Sequence, residues 1–325
     1  MQKVQLFRGR DLLHVAMACM ILFGAVVAVV YYYDPYGRAG IRSSSQVPNV
    51  GERELKVSVA RNPLFDSAVV GNSTSIPMQP EILDGLTGRK FVSLSVSGSG
   101  APVALTVARF FLRHHPAANT IIVAMDDTWC RNERTMAEGR PFPFWLYSGN
   151  LEYIGWLYAN MSFELLNHTF FAQGNGFRVD GYRPYDVAFV AHGYDDIAFV
   201  KAVMDKVIRP TGTDYVRPFR FEPLIQLEEL VSSNPRVTFI LFWTPRYLTL
   251  IPVQDSPAAD YDNACKQRSI EIVNRNSNAR IVNWAGDSSE NRNPANFYET
   301  NHYRDTLAIK IEHDIAKSIS AAESP

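Results

Sequence analysis

The sequence predicts an α/β protein, a parallel sheet with helices on its faces preceded by one membrane-spanning helix. Three observations carry this. Apolar runs of four to seven residues alternate with stretches of helical periodicity, the signature of strands joined by crossover helices. A composition of 46% hydrophobic and 20% charged residues over 325 positions describes a globular chain able to bury a sizeable core. And Leu12 to Tyr33 carries no formal charge, long enough to cross a bilayer, which takes about 20 helical residues.

Taken in order, residues 1–11 form a cytoplasmic tail and 12–33 an anchor. Lys3, Arg8 and Arg10 precede the apolar run, and Tyr31, Tyr32 and Tyr33 close it, which places the tail inside and the body on the periplasmic or extracellular side. A cleaved signal peptide is the competing reading. The run exceeds an ordinary signal core, and no convincing small-residue cleavage site follows it. Residues 34–51, rich in Gly, Pro and Ser, read as a linker, and 52–325 as one α/β domain.

Within that domain Ser67–Val70 is the first expected strand, ending at Gly71-Asn72-Ser73, with a short helix after Pro80. Phe91–Val96 is the second, followed by Gly98-Ser99-Gly100 and a helix over Val103–Leu112. Thr120–Met125 is the third and ends at Asp126-Asp127. Residues 131–185, dense in aromatics and Gly, read as an insertion with short helices. A helix over Glu222–Ser232, a strand at Val237–Trp243, a helix over Ala258–Asn274, a last strand at Ala279–Trp284 and a closing helix over Leu307–Ile319 complete the pattern. Every chemically suggestive residue follows a strand, where open α/β sheets bind ligands.

Composition excludes some functions. With 32 basic against 33 acidic residues nothing recommends nucleic acid as a partner. Cys19, Cys130 and Cys265 have no spacing that makes a zinc site. His192 beside Asp195 and Asp196 lacks a second His at ligand spacing, so no metal and no cofactor is expected. If the body is exported, Cys130 and Cys265 either bridge or remain two buried thiols.

Three features stand out together: Ser73 after the first strand, Gly98 after the second, and Glu299 three residues before His302 ahead of the last helix. A serine hydroxyl needs a base to take its proton, and a carboxylate and an imidazole three residues apart reach one cleft from one turn of chain. In this order the features resemble the SGNH, or GDSL-type, hydrolase superfamily. That likeness implies a flavodoxin-like sheet, with Ser73 as nucleophile, His302 as base and Glu299 orienting the imidazole. It also implies an oxyanion hole from Ser73, Gly98 and position 126. The chain departs from the family at several points. Gly71-Asn72-Ser73 stands for Gly-Asp-Ser, Glu299 stands for Asp, and the third block, normally Gly-x-Asn-Asp, reads Ala124-Met125-Asp126-Asp127. An ionised Asp126 would repel an oxyanion, and Asp126→Asn would then restore a donor; alternatively Asp126 and Asp127 cap the next segment or hold Arg131.

The anchor, the Asp-Pro-Tyr-Gly that follows it and the ending Asn296–Arg304 are similar to membrane-tethered bacterial members that serve envelope polysaccharide machinery, including relatives of alginate O-acetylation and teichoic-acid D-alanylation proteins. The resemblance implies a serine esterase or O-acyltransferase acting on acyl, above all acetyl, esters of a polysaccharide. Trp129 and Trp145 are candidates to stack on sugar faces, or else pack the insertion onto the sheet. The alternative is a catalytically impaired carbohydrate-binding or assembly-scaffold protein of the same fold.

Overall fold

Four of the five parallel strands are buried on both faces along nearly their whole length, with no polar side to give to water, and the edge strand Ala279–Asn283 is only partly buried beyond Ala279. The computed structural model describes residues 9–34, 36–38, 51–131, 142–159, 177–184, 189–190, 192–212 and 218–323. The strands are β1 (Ser67–Val70), β2 (Phe91–Ser93), β3 (Thr120–Met125), β4 (Thr238–Trp243) and β5 (Ala279–Asn283). They lie in the order β2-β1-β3-β4-β5, all parallel, the flavodoxin-like arrangement. Alternate side chains divide between two cores, Ala68, Ile121, Val123, Phe239 and Leu241 on one face and Val69, Ile122, Ala124, Ile240 and Phe242 on the other.

Helices cover both faces. On the first lie α4 (Ala101–His114), α7 (Glu222–Ser232) and α8 (Pro257–Arg275); on the second lie α3 (Pro80–Thr87) and α10 (Asp305–Glu323). Their caps are local chemistry. Ser256 accepts from Ala259 N before Pro257 opens α8, and Gly88, with φ 71°, closes α3 in the left-handed conformation that glycine tolerates. Three further helices fill the chain order between these: α2 (Glu52–Val59), α5 (Asn150–Ala159) and α6 (Ile197–Met204). A short α9 (Ser289–Arg292) precedes a small hairpin, β6 (Phe297–Glu299) with β7 (His302–Tyr303).

The N-terminal helix α1 (Gly9–Tyr33) has 25 residues, about 37 Å at the α-helical rise. Among the described residues it is the one helix long and apolar enough to cross a membrane, a test that a signal sequence also passes. The segment after it is not a free tether at its start. Asp34, Tyr36 and Arg38 are buried, and Arg38 donates to Leu146 O at 2.8 Å and Ser148 O at 2.7 Å with its guanidinium over the rings of Phe110 and Tyr153. The expected linker therefore begins inside the body; residues 39–50 lie outside the described ones.

Of the expected insertion, the turn Phe144–Tyr147, α5 and residues 177–184 are described. Lys56 of α2 staples it to the sheet: 1% exposed, it donates to Ser93 O at 2.9 Å and Gly181 O at 2.8 Å. Burial lowers its pKa to about 8, the expected direction for a desolvated ammonium. Cys130 and Cys265 are joined in a disulfide across 135 residues of chain, which resolves the two open readings in favour of the bridge.

Candidate active site

The site is assembled from three loops that leave the carboxyl ends of the strands. β1 ends in Gly71, and a Cβ there would stand 2.5 Å from Ser75 Oγ and 2.8 Å from Ala124 Cβ, so only glycine lets the chain turn this tightly against β3. A 3₁₀ turn follows over Ser73–Ser75. Asn72 caps it, accepting from Thr74 N at 3.0 Å and Thr74 Oγ1 at 2.8 Å, as Asn does at helix N-caps. Ser73 is thereby lifted to the strand edge.

The second loop continues β2. Leu94 N donates to Val69 O and Val96 N to Gly71 O, so this chain runs beside β1 until it reaches the Ser73 turn. Gly98, at φ 61°, then reverses it, and Ser97 N is held by Glu52 of α2 at 3.2 Å. Among the described residues the Ser73 and Gly98 N–H groups donate to no protein acceptor.

The third loop is the β6–β7 hairpin, whose bulge brings Glu299 opposite His302. Glu299 Oε1 pairs with His302 Nδ1, and His302 Nε2 lies 2.8 Å from Ser73 Oγ. The hydrogen bond to His302 holds the Glu299 carboxyl below its ordinary value although partial burial opposes this. An ionised carboxylate only accepts, so Nδ1 carries the proton and Nε2 presents its lone pair to the serine hydroxyl. Phe189 lies against the imidazole, ring centroids 5.5 Å apart, and stacks on Tyr298 at 4.9 Å. The sequence offered no signal for Phe189 beyond general aromatic density.

Position 126 is occupied otherwise than an oxyanion donor requires. Asp126 Oδ1 accepts from Thr128 N at 3.0 Å and Thr128 Oγ1 at 2.5 Å, and Oδ2 accepts from Asn72 Nδ2 at 2.5 Å. Burial and then the Asp127 charge push its carboxyl above its ordinary value, while the Thr128 and Asn72 donors pull it down. Asp126 thus caps the turn Asp127–Trp129, and Asp127 pairs with Arg131, as the capping alternative anticipates.

Neither expected sugar-stacking tryptophan stands at the site. Trp129 is 2% exposed, with Nε1 donating to Ala124 O at 3.2 Å; the turn folds its ring under β3 into the core, which corrects the expectation of a substrate-facing residue. Trp145 stacks on Tyr153 and meets Tyr36 edge-on, in an aromatic layer over α2 and α4. Asp196 is spent as the N-cap of α6.

A cavity of about 370 Å³ opens beside the Ser73 turn, lined among others by Thr74, Asp126, Thr244, Arg246, Thr300 and Asn301. Its size falls in the range of small-molecule sites. Arg246 holds Asp262 with both carboxylate oxygens at 2.7–2.8 Å. Burial opposes ionisation of Asp262, yet Arg246 and Lys266 keep its carboxyl below its ordinary value. Cys130 and Tyr261 also line the cavity, so the disulfide forms part of its wall.

The sequence matches no protein-family model and no curated protein. A solved structure, a carbohydrate esterase family 2 enzyme with its carbohydrate-binding domain from Corynascus thermopiles (Myceliophthora fergusii), is similar over 80% of this chain and 67% of its own. Identity is 13% and the TM-score 0.38, too distant for residue roles to be carried across.

Proposed function

We propose that this chain is a membrane-anchored serine esterase or O-acyltransferase that cleaves acyl, above all acetyl, esters of a cell-envelope carbohydrate. The observation that carries the proposal is the relay from Glu299 through His302 to Ser73. Its order matches acid, base and nucleophile of acyl transfer. Ser73 Oγ attacks the acyl carbonyl carbon while His302 Nε2 takes its proton. The N–H groups of Ser73 and Gly98 receive the oxyanion. The carbon–oxygen bond to the sugar then breaks, and the sugar oxygen leaves with the proton from Nε2. Water, or a second hydroxyl in a transferase, releases the acyl group from Ser73 by the same steps reversed.

Residues 1–11 would then be a cytoplasmic tail, 12–33 the anchor, and the remainder an extracytoplasmic body, with the enzyme working beside envelope polysaccharide machinery. The impaired-scaffold alternative drew on Asp126 and Glu299. Asp126 is engaged with Asn72 and Thr128, and Glu299 reaches the imidazole, so neither departure favours it. A fluorophosphonate probe tests the proposal, because only an activated serine is labelled. Labelling of the wild type and none of Ser73→Ala is expected; an unlabelled wild type would overturn it.

A further inference from the structure

The turn that carries Ser73 and the turn that follows β3 are built alike. In each, a capping residue keeps one side-chain oxygen for the threonine two positions on, Asn72 for Thr74 and Asp126 for Thr128, both through the backbone N–H and the hydroxyl. β1 and β3 are neighbours, with Val70 paired to Val123, so the two turns leave the sheet side by side. Their remaining side-chain atoms meet, Asn72 Nδ2 donating to Asp126 Oδ2 at 2.5 Å across 54 residues of chain.

This geometry restricts which residues fit. Since each position must give an acceptor oxygen to its own threonine, the two atoms that meet must be one donor and one acceptor. Two carboxylates would set two acceptors and two charges face to face, and two amides would oppose two NH₂ groups. One amide and one carboxylate satisfy both turns, and they do so in either order. Asn72 and Asp126, which stand where Gly-Asp-Ser and Gly-x-Asn-Asp have Asp and Asn, therefore satisfy one another.

We infer that Asn72 and Asp126 are an obligate amide–carboxylate pair that positions the Ser73 turn, with Asp126 the fixed acceptor in it. Both are positioning residues, acting on catalysis through the placement of Ser73, and in this the inference rests on the reading of Ser73 as nucleophile. Asp126→Asn alone then does not restore a missing donor. It breaks the pair.

The test is a mutant cycle in the detergent-solubilised full chain: wild type, Asn72→Asp, Asp126→Asn and the double exchange. Two quantities are read, kcat and KM on p-nitrophenyl acetate, and the thermal midpoint. Each single exchange is expected to lower kcat at least tenfold with little change in KM and to lower the midpoint. The double exchange should return kcat to within about threefold of wild type and recover the midpoint. A double mutant no better than the worse single one, or an Asp126→Asn protein as active as wild type, would overturn the inference. If the wild type proves to have no Ser73-dependent turnover, the functional reading fails; the midpoints still decide the pair, because absence of rescue there refutes it independently.

Discussion

A Cβ placed on Gly71 would stand 2.8 Å from the Cβ of Ala124, so the residue that leads into the Ser73 turn has no room for a side chain against the neighbouring strand. Gly71→Ala must push the turn away from β3, an overpacking that costs about 1–3 kcal/mol and moves Ser73 relative to His302. A thermal midpoint several degrees lower, with a kcat loss larger than the KM change, is the expected result.

In the proposed mechanism Glu299 and His302 divide the work of the base unequally. Glu299→Gln leaves a group that can still bond Nδ1 but no longer requires the proton to be there, so part of the population holds the wrong tautomer. Turnover should fall, though by less than in Ser73→Ala or His302→Ala. Steady-state rates on an acetyl ester rank the three variants.

The disulfide ties the turn after β3, which contains Asp126, to α8 and forms part of the cavity wall. Closing a loop of 135 residues corresponds to a stabilisation of about 2–5 kcal/mol. Cys130→Ser, Cys265→Ser or reduction should each lower the thermal midpoint by a similar amount. Non-reduced peptide mapping of protein recovered from an oxidising compartment should find the Cys130–Cys265 peptide, and two alkylatable thiols there would contradict the structure.

Glu312 of α10 is fully buried behind the hairpin, with Gln79 N donating to it. Burial raises its pKa to about 8, Asp305 adding to the effect and the Gln79 N–H opposing it. A carboxyl raised on folding keeps its proton in the native state while the unfolded chain has lost it. Its contribution is therefore fully present below the ordinary Glu value and lost as pH rises through about 8. The loss is on the order of 5 kcal/mol at most. Thermal melts should show stability falling from pH 5 towards pH 9, and Glu312→Gln, which stays neutral and can still accept from Gln79, should flatten that fall.

The strands of the main sheet were legible as short, mostly apolar runs bounded by turn residues, although the edge strand Ala279–Asn283 includes Arg280 and Asn283. The hairpin β6–β7 was not, since strands of three and two residues carry no periodicity. Glu52–Val59 hid as a helix because Lys56, a charged residue in the sequence, is buried in the fold. Ser73 could be picked out from its place after a strand, and Glu299 and His302 from their spacing ahead of the last helix, whereas the Asn72–Asp126 contact depends on which strands are neighbours, a tertiary fact. Trp129 misled for the same reason: a tryptophan in a loop looks available to a ligand until the turn is seen to fold it beneath β3.

The proposed function requires Ser73 and His302 to form one nucleophilic unit. Acetyl-ester turnover by wild type, Ser73→Ala, His302→Ala and the double mutant tests it most directly. Each single variant should lose nearly all Ser73-dependent activity and the double mutant should be scarcely slower than either, the non-additivity of groups that act together. A folded Ser73→Ala protein that turns over the ester as fast as wild type would contradict it.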